Sequence, residues 1–333
     1  MRNRLEPLYE RVFSLFLRSK RMSAPDSSAA PIATDDASPR KVLCDLTLPT
    51  GDEVTIQDDH FSDRLRCDHP LDLGSAAEAE ALGRQLVREA QARDRGRIVT
   101  FVPERLASGL AATGFEAEGV MPGFYGGEED CVAMGFYVNG ERGALADEAA
   151  VAQVKAILEA KREAEPRPRP PVETCLADPS DAPAVAELLA DTFAQYPTPS
   201  GDPAYVAEAI AEGIPFRYVA VEGEVVACAS ADLIPEAATA ELTDCATRPD
   251  HRGQGYMQAI LLDLMDDLAE RDYPTAFTLA RARIPGVNLA FQRLGFELRG
   301  TMPQSCRIGG GIEDMNIWSR PLVPAIQSAQ TAA

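Results

Sequence analysis

The residues best suited to chemistry form one short stretch in the second half of the chain. A predicted strand leads into a long predicted helix through Arg252, Gly253, Gln254, Gly255, Tyr256 and Met257. Glycines at such a point let the backbone turn sharply and direct successive N–H groups at one spot. The helix N-terminus adds a partial positive charge, and Arg252 adds a formal one. The stretch therefore predicts a pyrophosphate-binding site.

Two common phosphate motifs do not fit this stretch. A P-loop needs a lysine after its last glycine, and none follows here. A dinucleotide fingerprint needs a third glycine where Gln258 stands. A tight turn with incidental glycines is the alternative. Arg248-Pro249 upstream, the amphipathic helix downstream and Leu294-Gly295-Phe296 further along argue against it.

In this context the stretch resembles the acyl-CoA loop of the GNAT N-acetyltransferases, whose pattern is [QR]-x-x-G-x-[GA]. Met257 departs from the last position, which implies a slightly different helix start. Other segments resemble the beta-lysine N-acetyltransferases of that superfamily. They are Ala280-Arg-Ala282, Gly286-Val-Asn288, Gly295-Phe296 and Glu313–Trp318, with Val102-Pro103, Gly114-Phe115 and Met121–Tyr125 in the first half. The resemblance covers about residues 41–322.

The resemblance implies an α/β (α+β) fold: a GNAT acyl-CoA N-acyltransferase fold in the C-terminal half and a degenerate GNAT-like N-terminal half. It implies acetyl transfer from acetyl-CoA to the side-chain amine of beta-lysine by direct attack in a ternary complex. The product would be N6-acetyl-beta-lysine, used as a compatible solute. Acetyl-CoA is the expected co-substrate, without a metal. The implied cofactor contacts are the six loop residues together with Cys245, Ala246, Thr247 and Asn288.

Acetylation of an amine needs a base, because the free amine is the nucleophile. Among related acetyltransferases a glutamate just before the loop can serve, which favours Glu241, with Asp244 as the alternative. Three residues apart, they face opposite sides of a regular strand unless a bulge intervenes. A bulge would also release N–H groups around Cys245 and Ala246 for the acetyl oxygen. The alternative for both carboxylates is an ordinary solvent-facing position on the strand. A covalent acetyl-Cys245 fits GNAT chemistry poorly.

Other candidates concern the substrate and the leaving group. Arg281 or Arg283 would pair with the carboxylate of beta-lysine. Glu313 and Asp314 would hold its distal ammonium, and Tyr125 would close over it; surface charge and turn packing are the alternatives for these residues. Many relatives carry a tyrosine as acid where this chain has a phenylalanine, Phe291, so the thiolate is expected to leave unprotonated or through water.

The two halves of the chain share a sequence repeat. Gly114–Pro122 aligns with Gly295–Pro303, with six of nine residues identical at an offset of 181. This predicts a duplicated half-domain whose first copy, lacking the glycine loop, serves as a wall or lid. The predicted organisation is a tail and disordered linker (1–40), a degenerate GNAT-like half-domain (41–140), a helical and proline-rich linker (141–171), a catalytic GNAT domain (172–322) and a disordered tail (323–333).

Composition limits the remaining classes of function. The chain has 333 residues and a net charge of −20, which argues against nonspecific nucleic-acid binding. No apolar run is long enough to span a membrane, so stable membrane insertion is not expected. Seven scattered cysteines predict reduced thiols in the cytoplasm, not a zinc site. We expect a monomer that mimics a dimer, or a homodimer. The rival functions are acetylation of another small amine or of protein lysines, and acyl-CoA sensing without turnover.

Overall fold

The computed structural model describes residues 40–162 and 168–322. Residues 1–39 of the predicted tail and disordered linker, residues 163–167 of the predicted proline-rich linker and the predicted tail 323–333 lie outside the described residues. Within the described part, no helix is long and apolar enough to cross a bilayer.

The N-terminal half alternates strands with two helices. Its elements are β1 (Lys41–Thr47), β2 (Glu53–Asp59), β3 (Arg64–Arg66), α1 (Ala76–Ala92), β4 (Arg97–Pro103), α2 (Glu104–Ala111), β5 (Glu116–Tyr125) and β6 (Glu129–Tyr137). A further helix, α3 (Glu148–Ala160), follows a short 3-10 turn at Gly140–Gly143.

The C-terminal half repeats the alternation with more helices. Its elements are β7 (Cys175–Leu176), α4 (Ala182–Thr192), α5 (Pro203–Ala211), β8 (Phe216–Val221), β9 (Glu224–Ile234), β10 (Thr239–Thr247), α6 (Tyr256–Glu270), β11 (Thr275–Arg281), α7 (Pro285–Arg293), β12 (Glu297–Ile308) and β13 (Gly311–Pro321).

The strand and the long helix predicted on either side of the glycine stretch are present as β10 and α6. Within the segment predicted as a helical and proline-rich linker (141–171), the helix begins at Glu148, because the Asp147 side chain caps it by accepting from Ala150 N–H (3.0 Å). That helix also buries Val154 and Leu158 in the core of the C-terminal half. The segment predicted as a linker therefore includes a packed helix. The short strands β3 and β7 were not predicted, since three and two residues carry too little pattern.

All thirteen strands form one sheet, in the order β1-β2-β3-β4-β6-β5-β12-β13-β11-β10-β9-β8-β7. The halves join where β5 pairs with β12 through Gly119 and Gly300. Phe101 of β4 and Phe277 of β11 are five strands apart in this order, about 24 Å in a flat sheet. Their ring centroids are only 6.4 Å apart. The sheet therefore folds over at the joint, and the same face of each half turns toward the other.

The two halves follow the same path in detail. Each has one parallel pair (β3 with β4, β10 with β11) flanked by antiparallel strands. Residues with positive φ occur at equivalent places in the two halves, and the two members of each pair are 175 to 181 residues apart in the chain. Equivalent residues of the paired strands show a similar separation. The pairs are Asp63 and Ala238, His69 and Asp244, Asp94 and Asp272, and Gly114 and Gly295. Since Gly119 and Gly300 are equivalent residues that pair with each other, a local twofold relation passes through the joint. We interpret the halves as copies of one unit.

The joint requires glycine on both strands. A Cβ on Gly300 would overlap the carbonyl oxygen of Glu118 and approach Gly119 Cα to 2.7 Å. A Cβ on Gly119 would lie 2.9 Å from a methyl of Ile317. Behind the joint, buried apolar side chains from both halves share one core, which includes Phe101, Phe277, Met121, Met302 and Ile317.

We predict that Gly300→Ala destabilises the whole chain. Forcing the strands apart costs about 2 kcal/mol of unfolding free energy or more, by overpacking against backbone. Urea denaturation checks this. Gly311→Ala, in the same hairpin with nothing within 4 Å of the added Cβ, is the control and should leave stability within about 0.5 kcal/mol. Equal stability of both variants would contradict the close approach.

Candidate active site

The glycine stretch opens the C-terminal helix α6 without a side-chain cap. A 3-10 turn at Pro249–His251 is followed by Gly253 and Gly255, with φ of 82° and 85°. The hydrogen-bond ladder starts with Ala259 N–H donating to Gly255 C=O at 3.0 Å, so the helix itself does not use the preceding N–H groups. No atom lies within 4 Å of a Cβ built on Gly253, and Arg252 is exposed. The space beside Gly253 is therefore open, whereas Pro170 lies against the other glycine, 3.0 Å from a Cβ built on Gly255.

The equivalent helix of the N-terminal half is closed. Ser75 caps α1 and accepts from Glu78 N–H (3.3 Å), while the Glu78 carboxylate accepts from the N–H groups of Ser75 (2.9 Å) and Gly74 (2.7 Å). The protein's own carboxylate thus occupies the place where an anion would bind. Of these two equivalent helices, α6 is therefore the one whose N-terminus no side chain caps.

Helix α6 is fixed on both faces. Its apolar face packs into the C-terminal core through Ile260, Leu261, Leu264 and Leu268. On the polar side, Arg217 of β8 donates to both oxygens of Asp267 (2.6 and 2.8 Å). The helix start is therefore held relative to the end of β10.

A β-bulge interrupts β10 just before the loop. Thr243 pairs with Ser230 and Ala246 with Cys228, so Asp244 and Cys245 together oppose Ala229. Asp244 takes a φ of 51°. The bulge brings the Asp244 carboxylate to the side of Ser230, which is the face that Glu241 also occupies. The two carboxylates therefore lie on the same face of β10, whereas a regular strand would place them on opposite faces.

Asp244 is buried and held by hydroxyl groups. It accepts from Ser230 Oγ (2.8 Å) and Ser200 Oγ (3.0 Å). Burial raises the pKa of this carboxyl, and these hydroxyl donors oppose the rise. The Tyr196 hydroxyl lies 3.3 Å from Thr243 Oγ1 at the same place. The protein itself thus provides hydrogen-bond donors to the Asp244 carboxylate, which leaves this group less available to act as a base.

Glu241 has the properties of a base near neutral pH. It is half-buried, directly opposite Asp232 on β9 and Phe277 on β11. Burial, helped by the negative charge of Asp244, raises the pKa of Glu241 to about 7, while Arg66 and a backbone N–H oppose the rise. Burial beside Asp244 and Glu241 also raises the pKa of Asp232. A carboxylate in this range can take a proton from an ammonium group and give it up to water.

The thiol of Cys245 is a poor nucleophile. Burial raises the pKa of Cys245, and the adjacent carboxylates raise it further, so the thiolate is disfavoured. Direct attack by the amine fits this environment better than an acetyl-cysteine.

The structure gives Asn288 four hydrogen bonds within the protein. Its side chain is fully buried; the amide donates to the carbonyl oxygens of Arg281 (2.9 Å) and Ile284 (2.8 Å). Its oxygen accepts from Asn316 Nδ2 and Trp318 Nε1, both at 2.9 Å. Asn288 thus holds α7 to the sheet, and a bond to the cofactor would have to replace one of these.

The charged residues predicted for the substrate bind one another. Arg281 and Arg283 both donate to Glu313, at 2.6 Å each, and Glu313 is buried. Asp314 accepts from the backbone N–H groups of Ala146 and Gln304 (3.0 and 2.8 Å), which ties α3 and β12 together. Their charges are largely satisfied within the protein, so the substrate roles stay predictions that this geometry does not favour.

Tyr125 lies at the interface of the halves. Its hydroxyl is 3.1 Å from His69 Nδ1, and its ring packs edge-on against Phe124. Burial lowers the pKa of His69 to about 4, so that ring is neutral, and it raises the pKa of Tyr125. Its predicted closure over substrate stays a prediction.

Sequence reasoning missed four polar residues around the carboxylates: Tyr196, Ser200, Ser230 and Asp232. Asp232 carried a signal, because it is the one acid inside the apolar strand Val225–Ile234. The others gave none, since a loop tyrosine and serines are common and only the fold brings them to β10.

The site combines a bulged strand that carries a carboxylate with a glycine-rich helix start that has no side-chain cap. Residues 182–296 match the model of the Acetyltransferase (GNAT) family. The chain is also similar to two beta-lysine N(6)-acetyltransferases.

Individual relatives cover different parts of the chain. It is 41% identical over 143 residues to the beta-lysine N(6)-acetyltransferase of Methanosarcina mazei, covering 43% of this chain and 53% of that protein. The chain thus spans about half the length of that relative. It is 29% identical to N-acetyltransferase YodP of Bacillus subtilis over 71% of this chain and 86% of that protein. A crystal structure of the ribosomal-protein-S18-alanine N-acetyltransferase from Escherichia coli aligns with a TM-score of 0.41 and 22% identity, over 47% of this chain and 97% of that chain.

We predict that Glu241→Gln stabilises the protein at pH 8 but not near pH 4.5. A carboxyl whose folded pKa exceeds its unfolded value binds its proton more tightly when folded, so its ionisation removes stability as pH rises from about 4.5 to 7. The amide does not ionise and so avoids this loss of stability, which is about 3 kcal/mol. Urea unfolding at both pH values checks it, with exposed Glu187→Gln as control. A gain independent of pH would contradict the raised pKa.

Proposed function

We propose that the chain transfers acetyl from acetyl-CoA to the side-chain amine of beta-lysine. The observation that carries the proposal is Glu241, whose pKa is about 7, on the bulged strand that leads directly to an open anion-binding helix start. The name of the 41% identical Methanosarcina relative supports beta-lysine as acceptor. The expected product is N6-acetyl-beta-lysine.

The C-terminal half offers the groups that acetyl-CoA needs. When bound, acetyl-CoA supplies an acetyl group activated as a thioester. The N–H groups of Gly253, Gln254, Gly255 and Tyr256, with the Arg252 guanidinium, would hold its diphosphate. Backbone N–H groups around Cys245 and Ala246, where the bulge interrupts the ladder, would hold the acetyl oxygen. Thr247 and Met257 flank these groups.

Glu241 would prepare the acceptor amine. As a carboxylate it accepts the proton of the substrate ammonium, which exposes the lone pair for direct attack within a ternary complex. Asp244, fixed by two serine hydroxyls, raises the pKa of Glu241 by its charge. Tyr196 stays protonated, because burial raises its pKa, and it lines the same edge of β10.

A role as producer of a compatible solute follows from the proposed product. The acidic composition, with a net charge of −20, fits a saline cytoplasm. The test is deletion of the gene: acetyl-beta-lysine should fail to accumulate under salt stress, and growth should become salt-sensitive. Unchanged accumulation would overturn this role.

CoA release by purified protein tests the activity itself. With acetyl-CoA and beta-lysine we expect stoichiometric free thiol and a product heavier by one acetyl group. Binding of acetyl-CoA without CoA release on beta-lysine, polyamines or a protein lysine would instead identify a sensor.

We predict that Glu241→Gln lowers kcat/KM by about 100-fold or more while leaving the Kd for acetyl-CoA unchanged, since loss of a general base costs this much. In the unaltered protein, kcat/KM should rise with pH through about 7, because only the carboxylate is active. Steady-state kinetics from pH 5.5 to 9 measure both effects. Glu187→Gln should behave like the unaltered protein, and a pH profile unaffected by Glu241→Gln would exclude this residue as the base.

We predict that Arg252→Ala weakens acetyl-CoA binding about tenfold, through loss of one charge at the diphosphate. Isothermal titration calorimetry at low salt measures the Kd. Arg84→Ala, at an exposed arginine on α1, is the matched control with an unchanged Kd. Equal affinities for the two variants would show that Arg252 does not contact the diphosphate.

A further inference from the structure

The face of the N-terminal half that turns toward Glu241 carries a partly buried ion pair. Arg66 and Asp68 are two residues apart at the end of β3, and Arg66 Nη2 lies 2.7 Å from an Asp68 oxygen. The Asp68 side chain is 9% exposed. No group of the described residues bonds its other oxygen, Oδ1, which is shielded from solvent. A buried carboxylate oxygen without a donor is costly unless a ligand supplies one.

Strand register places this pair opposite the proposed base. In the N-terminal half, Arg66 of β3 lies opposite Val99 of the parallel strand β4. In the C-terminal half, Glu241 of β10 lies opposite Phe277 of the parallel strand β11, at the equivalent position of that ladder. Arg66 thus occupies in one half the place that Glu241 occupies in the other. Because the sheet folds over at the β5–β12 joint, these two positions face each other.

An aromatic layer connects the two positions. The Arg66 guanidinium lies 5.7 Å from the centroid of the Phe101 ring, and that ring lies 6.4 Å from Phe277. Phe277 is the direct neighbour of Glu241 across the strands. The charges of Arg66 and Asp68 both act on the pKa of Glu241. The ion pair and the base thus border one apolar layer, which includes the rings of Phe101 and Phe277.

We propose that Arg66 and Asp68 bind the charged end of an amino acid substrate and hold its distant amine at Glu241. Such a substrate carries a carboxylate close to an ammonium group. These two opposite charges match the neighbouring charges of Arg66 and Asp68. The carboxylate would accept from the Arg66 guanidinium, which has five N–H donors. The neighbouring ammonium would donate to Asp68 Oδ1. This inference rests on the proposed acetyl transfer and assigns substrate selection to the N-terminal half.

Three acceptor substrates distinguish the contact with Arg66 from the contact with Asp68. Beta-lysine carries both charges at that end; 6-aminohexanoate keeps the carboxylate without the neighbouring amine; 1,5-diaminopentane has no carboxylate. Arg66→Met should lower kcat/KM at least 100-fold for the first two and less than threefold for the diamine, because a polar site rejects a missing partner strongly. Asp68→Asn should lower kcat/KM for beta-lysine but not for 6-aminohexanoate. The Kd for acetyl-CoA should stay unchanged in both variants.

Controls keep the result independent of folding. Arg66→Met leaves Asp68 buried without its cation, so the double variant Arg66→Met/Asp68→Leu, which removes both charges, is tested beside it. Arg105→Gln, in a half-exposed ion pair with Glu129 of the same half, should change none of the three rates. Thermal unfolding confirms that each variant is folded.

The outcomes distinguish this inference from the function on which it rests. If the unaltered protein releases no CoA with any of the three acceptors, the proposed acetyl transfer fails. If it acetylates beta-lysine but folded variants lose the same factor on all three acceptors, or none, Arg66 and Asp68 do not select the substrate. Dependence on the carboxylate for Arg66 and on the neighbouring amine for Asp68 supports the assignment.

Discussion

The architecture depends on the close approach of two backbones at Gly119 and Gly300. Without a Cβ at either position, β5 and β12 can hydrogen-bond and continue one sheet from one half into the other. The sheet folds over at this point, and a shared apolar core fills the space between the facing sides. The N-terminal half is thereby held opposite β10, the strand that carries Glu241 and Asp244.

Charges enclosed between the halves give the site its chemistry. Asp244 raises the pKa of Glu241, both raise the pKa of Asp232, and burial raises the pKa of all three. Such an arrangement opposes folding, because the charged forms are penalised. Serine hydroxyls that hold Asp244 oppose this penalty, and so do two cations of the N-terminal half: Arg66 lowers the pKa of Glu241, and Lys41 lowers that of Asp232.

Divergence of the two halves is visible in single residues. At the helix starts, Ser75 and Glu78 close α1, whereas Gly255 leaves α6 open. At the strand ends, the residue with positive φ is His69 in one half and Asp244 in the other. The two halves share a backbone path but differ in side chains, so α6 begins without a side-chain cap and the end of β3 carries an ion pair.

Local features could be predicted from the residues alone. They are the amphipathic helix α6, the glycines before it, the carboxylates of β10 and the repeat around Gly114 and Gly295. These depend on residue periodicity, on conformations that favour glycine and on spacing along the chain, all of which are local. Three further facts depend on the folded chain. The side chain of Asn288 makes all its hydrogen bonds in the core, and Arg281 and Arg283 bind Glu313. Around Glu241, the fold gathers Tyr196, Ser200 and Arg66. These contacts join residues far apart in the chain, and they depend on the register and the fold of the sheet, which no local pattern encodes.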